Sequence, residues 1–441
     1  MAKYLLRRRF RDFFSWIARE SESTSIIAST VWQIIEKFLR LCSAAISGIL
    51  IARYLQPEQY GIYNYALAFT SFFVAVSSLG TSQIFRRELI KEPQSGGEIV
   101  SSAFFFRIMS GLLFFLLAIG TAFAFISDVL VRLLIVIFSL QMIFRSSEAI
   151  EFSFESKLKY GAITFSKSIA SALATALIVV SVATEKSIIV LAVASCSEYL
   201  IAFITIISVY IYRRQVLNTS AISLSRMTNV LSDSWPLIFS GIAITVYMRI
   251  DQIMINTLVG STELGLYSAT VQLTEVFYLF PIAFIRSNFP RIVRLKEEGE
   301  SAFYSNLQKL YNQLSLISYA FIVFVSIFSR ELLGILYGSS YAKAAPILTL
   351  LIWSVLFVTL GTAQSAFMVS MNWTKIHLKT VLVASVVNVL LNCLLIPKHG
   401  AFGAAIATVF SYWVAVHGAC FLFEPLRKTR NMITRSFVLL S

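Results

Sequence analysis

The chain has 441 residues, 57% of them hydrophobic and only 14% charged, with a mean hydropathy of +0.76. Soluble domains carry about a quarter charged residues, so this composition excludes a soluble globular protein and indicates a polytopic membrane protein. The formal charge of +14 then reads as membrane topology, and no nucleic-acid partner is expected.

In chain order, residues 1–29 come first as a basic N-terminal segment. Leu6, Phe10, Phe13 and Ile17 recur at helical steps among Arg7, Arg8, Arg9 and Arg11. That pattern suits an amphipathic helix in the headgroup plane as well as an ordinary basic flank. Twelve runs then meet the requirement of about 20 apolar residues for a spanning helix. They lie near 30–52, 61–85, 100–126, 129–149, 163–183, 187–211, 236–259, 265–288, 311–329, 345–369, 378–396 and 401–423. None alternates like a barrel strand, so the fold class is all-α. Six runs fill an N-terminal lobe, 30–212, and six a C-terminal lobe, 236–423, with an inter-lobe linker at 213–235 and a basic tail at 424–441. With a cytoplasmic N-terminus, 25 Lys and Arg residues fall in cytoplasmic segments, against 5 in the opposite loops (Arg53, Lys186, Arg330, Lys343 and Lys398). Both termini are therefore expected in the cytoplasm.

The stretch EQYGIYNYA at 58–66 returns 204 positions later as TELGLYSAT at 262–270, and FRR at 85–87 returns as FPR at 289–291. An even number of spans in each half makes this a parallel repeat, the architecture of transporters whose substrate path lies where the halves meet. Gly61 and Gly265 are expected to open a helix in each copy and to be structural.

Charge within spans is costly and marks partners or a watery cavity. In the first span Gln33, Glu36, Arg40, Ser43 and Ser47 share one face, bordered by Lys37. The seventh places Thr245, Arg249, Gln252 and Asn256 on one face and Tyr247 and Asp251 on another; the eighth aligns Ser268, Gln272 and Glu275. Arg107, Lys167 and Glu198 lie in the third, fifth and sixth. Helix-to-helix pairing accounts for these groups, and so does a cavity, cationic in its N-terminal half, for an anionic headgroup. Arg145 and Glu148 read as interfacial, and His417 as structural. The cysteines Cys42, Cys196, Cys393 and Cys420 sit in apolar runs and suggest neither disulfide nor metal site. No phosphate loop or nucleophile–base pair stands out, so neither an enzyme nor a bound cofactor is expected. A proton or sodium gradient is the expected driving force, with Glu36, Asp251, Glu275 and Glu198 as candidate carriers.

The wording IARYLQPEQYGIYNYALAFTSFFVAVSSLGTSQIFRREL resembles the opening of the Wzx-type O-antigen and polysaccharide-biosynthesis flippases of the multidrug/oligosaccharidyl-lipid/polysaccharide superfamily. PLIFSGIAITVYMRIDQIMINTLVGSTELGLYSA, LYGSSYAKAAPILTLL and LLNCLLIPKHGAFGAAIATVFSYW resemble later helices of that family, in its order. The resemblance implies a MATE-like V-shaped bundle in a bacterial inner membrane. It also implies that an undecaprenyl-pyrophosphate-linked oligosaccharide is moved from the cytoplasmic to the outer leaflet by alternating access. By resemblance the cavity cations become Arg40, Lys37, Arg107, Lys167 and Arg249, with Asp251 completing an Arg-x-Asp. Membrane lipid, and a polymerase and chain-length regulator of the same pathway, are the implied partners. The alternative is a cation-coupled multidrug exporter of the same superfamily, which should prefer an acidic cavity.

Overall fold

Long apolar runs form helices here, and there is no strand among the described residues. The computed structural model describes residues 26–213, 215, 217, 222–278, 284, 285, 288, 299–371 and 373–438. Residues 1–25 of the basic N-terminal segment, parts of the expected linker and the FPR copy at 289–291 lie outside them. The helices in chain order are α1 (Ile26–Ser77), α2 (Ser82–Lys91), α3 (Gly96–Phe125), α4 (Val129–Ser139), α5 (Gln141–Phe144), α6 (Glu148–Ser156), α7 (Tyr160–Ala183), α8 (Ile188–Tyr212), α9 (Leu224–Leu258), α10 (Ser261–Phe277), α11 (Glu300–Leu336), α12 (Ala345–Leu351), α13 (Ser354–Ser370), α14 (Thr374–Val416) and α15 (Arg427–Phe437). They form two compact units, Met1–Ile51 with Phe69–Ile242 and Ala52–Ala68 with Ala243–Ser441.

Among the described residues seven helices are long and apolar enough to cross a membrane, or eight counting a pair bent by 41° at Ser339–Leu351 and Ser354–Met368. This is a multi-pass membrane protein. α1 is not among the seven, and the rest of the difference from twelve runs has local causes. The runs 30–52 and 61–85 share α1, and 378–396 and 401–423 share one long helix that is broken at Gly400 (φ 56°, ψ −138°). The run 265–288 extends past α10 into residues not described.

In the first unit α7 and α8 pair across the tight turn at 184–187. Small buried residues at helical spacing on α7 (Ala162, Ser166, Ala170, Ala174) let backbones approach, as helix packing in lipid requires. At one end Phe85, Ile99, Ile150, Phe152, Phe154 and Tyr210 form the core. Arg226, near the start of α9, is fixed there by Glu88, Glu92 and Glu98 at 3.1, 3.1 and 3.3 Å. Burial works against its charge, but the three carboxylates prevail and hold the guanidinium above the ordinary arginine range.

The second unit holds both copies of the repeated motif. Gln56 leaves the helical region (φ 58°, ψ 169°) because it precedes Pro57, whose ring disfavours helix in the residue before it. Its repeat equivalent, Gly260, has φ 122° and ψ 171°. For glutamine this backbone is strained, and its side chain offsets the strain by donating to the Arg53 carbonyl at 2.8 Å and accepting from Ser340 Oγ at 2.7 Å. Beyond each break the motif helices cross reciprocally. A Cβ on Gly61 would lie 1.8 Å from the Ser261 carbonyl oxygen, and one on Gly265 would lie 1.8 Å from the Pro57 carbonyl oxygen. Pro57 and Ser261 are themselves repeat equivalents, so only glycine at both positions permits the contact. Tyr341 closes the same corner, fully buried, with its hydroxyl donating to the Ala52 carbonyl at 2.8 Å. Glu263 of the second copy accepts from the Ala401 N–H at 3.3 Å, where α14 resumes after Gly400.

Gly61→Ala or Gly265→Ala should destabilise the purified protein by about 1–3 kcal/mol through overpacking. Gly120→Ala, whose added methyl meets nothing within 4 Å, should not. Thermal unfolding in detergent checks this, and unchanged midpoints for both motif variants would refute the crossing.

Candidate functional site

The intramembrane charges collect in two groups, one in each unit. In the first, Glu36 and Arg40 stand one turn apart on α1 and pair at 3.6 Å. Glu36 is buried, whereas the Arg40 side chain is 50% exposed. Lys37 is exposed beside them and Gln33 half-buried. On α3, Arg107 is only 5% exposed. Its Nη1 donates to Glu148 Oε2 at 2.7 Å and its Nη2 to Ser82 Oγ at 2.5 Å, while the guanidinium lies 5.4 Å from the Phe152 ring centre. A 3₁₀ turn at Arg145–Ser147 leads into α6 and brings Arg145 Nε to 2.8 Å from Glu148 Oε1. One turn on, Glu151 Oε2 accepts from Lys167 Nζ of α7 at 2.7 Å.

The first turn of α6 thus presents two carboxylates, spaced i and i+3, to cations on two neighbouring helices. The network continues: Glu198 on α8 feels the charges of Arg40, Glu36 and Lys167, and Lys167 those of Glu148 and Arg40. The structure therefore brings Arg40, Glu36, Lys167, Arg107 and Glu198 into one connected set. Glu148 and Arg145, read from the sequence as interfacial, are also part of it, because buried Arg107 needs a carboxylate. Glu151 was missed. Its signal was the i, i+3 spacing from Glu148, opposite two membrane cations that otherwise lacked counterions.

In the second unit Arg249 Nη2 stands 3.8 Å from Glu275 Oε1, both side chains about one-third exposed. Tyr60 donates to Gln272 Oε1 at 2.8 Å, one turn from Glu275. Asp251 is 3% exposed and accepts from the Tyr267 hydroxyl, from Thr408 Oγ1 at 3.3 Å and from the Gln252 N–H at 2.8 Å. It is held by neutral donors, the tyrosine being that of the second Gly-x-Tyr, rather than by the arginine two residues away. Beside this group a cavity of about 700 Å³ is lined by Tyr247, Met248, Tyr278, Phe357, Gln364 and Tyr412 among others. The rings of Tyr247 and Tyr412 lie 4.7 Å apart. His417 is buried with Nε2 at 2.9 Å from Thr434 Oγ1, holding α15 in place. Among the described residues no three His, Cys, Asp or Glu side chains gather to hold a metal.

A family model described as polysaccharide biosynthesis protein matches residues 24–296. The chain belongs to that family. A second model, MatE, matches residues 236–394. Among curated proteins the chain is similar to a probable low-salt glycan biosynthesis flippase, Agl15, of Haloferax volcanii, with 24% identity over 170 residues, 38% of this chain and 36% of that protein. It is also similar to the capsular polysaccharide biosynthesis protein CapF of Staphylococcus aureus, with 23% identity over 192 residues, 43% of this chain and 48% of CapF. The chain thus spans less than half the length of these relatives. Among solved structures it resembles the lipid II flippase MurJ in an inward closed conformation, at TM-score 0.73 and 16% identity over 93% of this chain and 91% of that one. An inward-facing multidrug resistance MATE family transporter of the MOP superfamily gives TM-score 0.68 and 14% identity over 91% and 98%. At these identities the likeness establishes the fold.

Arg107→Ala removes the most enclosed cation of the set, leaves Glu148, whose side chain is 24% exposed, with one fewer counterion, and should cost about 3 kcal/mol. Arg40→Lys, which keeps a cation beside the buried Glu36 at a half-exposed position, should change stability little. Unfolding of the two variants in detergent separates these cases, and equal midpoints would contradict the assigned burial.

Proposed function

We propose that this protein is a flippase for an undecaprenyl-pyrophosphate-linked oligosaccharide, the repeat unit of an O-antigen, capsule or exopolysaccharide. It moves this lipid from the cytoplasmic to the outer leaflet of a bacterial inner membrane by alternating access. In this reading the chain has twelve spans in two lobes, 30–212 and 236–423, with both termini cytoplasmic. The observation that carries the proposal is the half-exposed Arg40 beside Lys37 on α1, with Lys167 on α7, in a chain of the polysaccharide biosynthesis family. The similarity to the flippases Agl15 and MurJ and to the capsular polysaccharide biosynthesis protein CapF supports it.

The chemistry follows from the pairing. A pyrophosphate cannot enter hydrocarbon without compensation, since an unpaired charge there costs many kcal/mol. Arg40 is half exposed and loosely paired, so a phosphate oxygen can displace Glu36 from it and gain a bidentate partner. Lys37, three residues before Arg40 on α1, adds a second cation, and Lys167 a third if the ligand competes with Glu151. Arg107 is enclosed by Glu148, Ser82 and Phe152, and its part is to hold α3 and α6 in place. Arg249, paired with Glu275, offers the second unit's cation. A displaced Glu36 or Glu198, or Asp251 or Glu275 in the second unit, would take up the coupling proton or sodium ion. A polymerase and chain-length regulator would receive the translocated unit. The MatE match over 236–394 favours a second reading, a cation-coupled multidrug exporter. The aromatic cavity of the second unit would then hold the drug.

Deletion of the gene should deplete surface polysaccharide and make its lipid-linked repeat unit accumulate inside the cell. Complementation with Arg40→Ala should restore about a tenth of the polysaccharide or less, and Arg40→Lys clearly more, since lysine keeps the charge but loses the fork. Unchanged polysaccharide on deletion, with altered drug tolerance, would favour the exporter.

A further inference from the structure

The basic tail is more than a topological signal. α15 is amphipathic: Thr429, Met432, Ile433 and Ser436 are buried, while Lys428, Asn431 and Arg435 lie on its other side. The helix is fixed by Tyr319, whose hydroxyl donates to the Phe437 carbonyl at 2.8 Å, and by the His417–Thr434 bond at 2.9 Å. Between α15 and the first three turns of α11 lies a cavity of about 440 Å³, a volume within the usual range of about 300–1,000 Å³ for small-molecule sites. Its walls carry three cations, Lys309 from α11 and Lys428 and Arg435 from α15, and no carboxylate among the described residues. Lys428 Nζ is seated 3.2 Å from the centre of the Tyr304 ring, a cation–π contact that holds its ammonium at the wall.

One wall group is unsatisfied. Gln308 donates through Nε2 to the Met432 carbonyl at 3.0 Å and to Asn312 Oδ1 at 2.8 Å, which fixes the orientation of its amide. Its Oε1 is then an acceptor without a partner, on a side chain nine-tenths buried that lines the cavity. That atom has under 1 Å² of accessible surface and is closed to the cavity, so what the cavity offers a ligand is its three cations.

We propose that the cavity between α11 and α15 binds a phosphate-bearing anion, the chemistry shared by an anionic phosphoglycerol lipid headgroup and a free polyol phosphate. The phosphate sits among Lys309, Lys428 and Arg435, with the Arg435 fork able to hold two oxygens. A zwitterionic choline headgroup is disfavoured, since its trimethylammonium repels the cations.

The test uses the full-length protein in phosphatidylcholine nanodiscs doped with phosphatidylglycerol, lipid retention being read by native mass spectrometry, and glycerol 3-phosphate binding read by calorimetry in undoped discs. The wild type should retain phosphatidylglycerol in preference to phosphatidylcholine, or bind glycerol 3-phosphate; the arm that responds identifies the source. Lys309→Gln or Arg435→Gln should each weaken that binding about five-fold. Lys309→Arg should keep it, which separates lost charge from a damaged fold. Arg427→Gln, an exposed cation of α15 that does not line the cavity, should leave it unchanged. Binding that ignores Lys309 and Arg435, equal weakening by Arg427→Gln, or no binding of either probe would overturn the site.

Discussion

Every charge carried into the membrane needs a partner that remains with it, and the arrangement of the first unit follows from that requirement. Arg107 is almost completely enclosed, so Glu148 must face it, and Glu148 in turn draws Arg145 across a 3₁₀ turn. Once α6 is held in this register, Glu151 meets Lys167 on α7. α3, α6 and α7 are tied together by two carboxylates one turn apart. Such ties are strong only while complete, because removing one partner leaves the other charged and buried. The pairs of Arg107 and Lys167 tie helices together, whereas Arg40 is left half exposed and loosely held.

The second unit rests on a different constraint, backbone proximity. The two copies of Gly-x-Tyr cross with each glycine against the carbonyl of its opposite number's lead-in residue, Pro57 or Ser261. The tyrosines then diverge. Tyr63 is buried in aromatic packing, its ring stacked 6.5 Å from that of Tyr60, while Tyr267 donates to Asp251. The same helix–break–helix unit therefore serves twice as a scaffold, and the second copy supplies a donor to the buried Asp251 carboxylate.

Much of this was legible in the sequence for a simple reason. Hydropathy is a property of single segments, so apolar runs, their all-helical character and the repeat could be read without knowing what packs on what. The break at Gln56 was legible from Pro57, and the Glu36–Arg40 pair from its spacing of four. Partner choice between distant residues was not. Nothing local to Arg107 specifies Glu148, 41 positions on, and Asp251 finds Thr408 at a separation of 157. The glycines of the repeat were read as helix starts, whereas their mutual contact appears only when both copies are folded. Helix counts suffered where two apolar runs joined through a short turn, as at Gly400, into one helix longer than a bilayer needs. The C-terminal cations were read as topology alone, because a cavity made by two helices more than a hundred residues apart leaves no periodic trace.

The central claim is that this family member carries a lipid-linked sugar pyrophosphate across the bilayer with Arg40 as the exposed phosphate contact. Its most direct test is a proteoliposome assay in which a fluorescent undecaprenyl-pyrophosphate oligosaccharide becomes accessible to a membrane-impermeant quencher on crossing leaflets. Wild-type protein should speed that exposure well above empty vesicles, and Arg40→Ala should remove most of the gain while the protein stays folded. Exposure no faster than in empty vesicles, or equal rates for wild type and Arg40→Ala, would contradict the account.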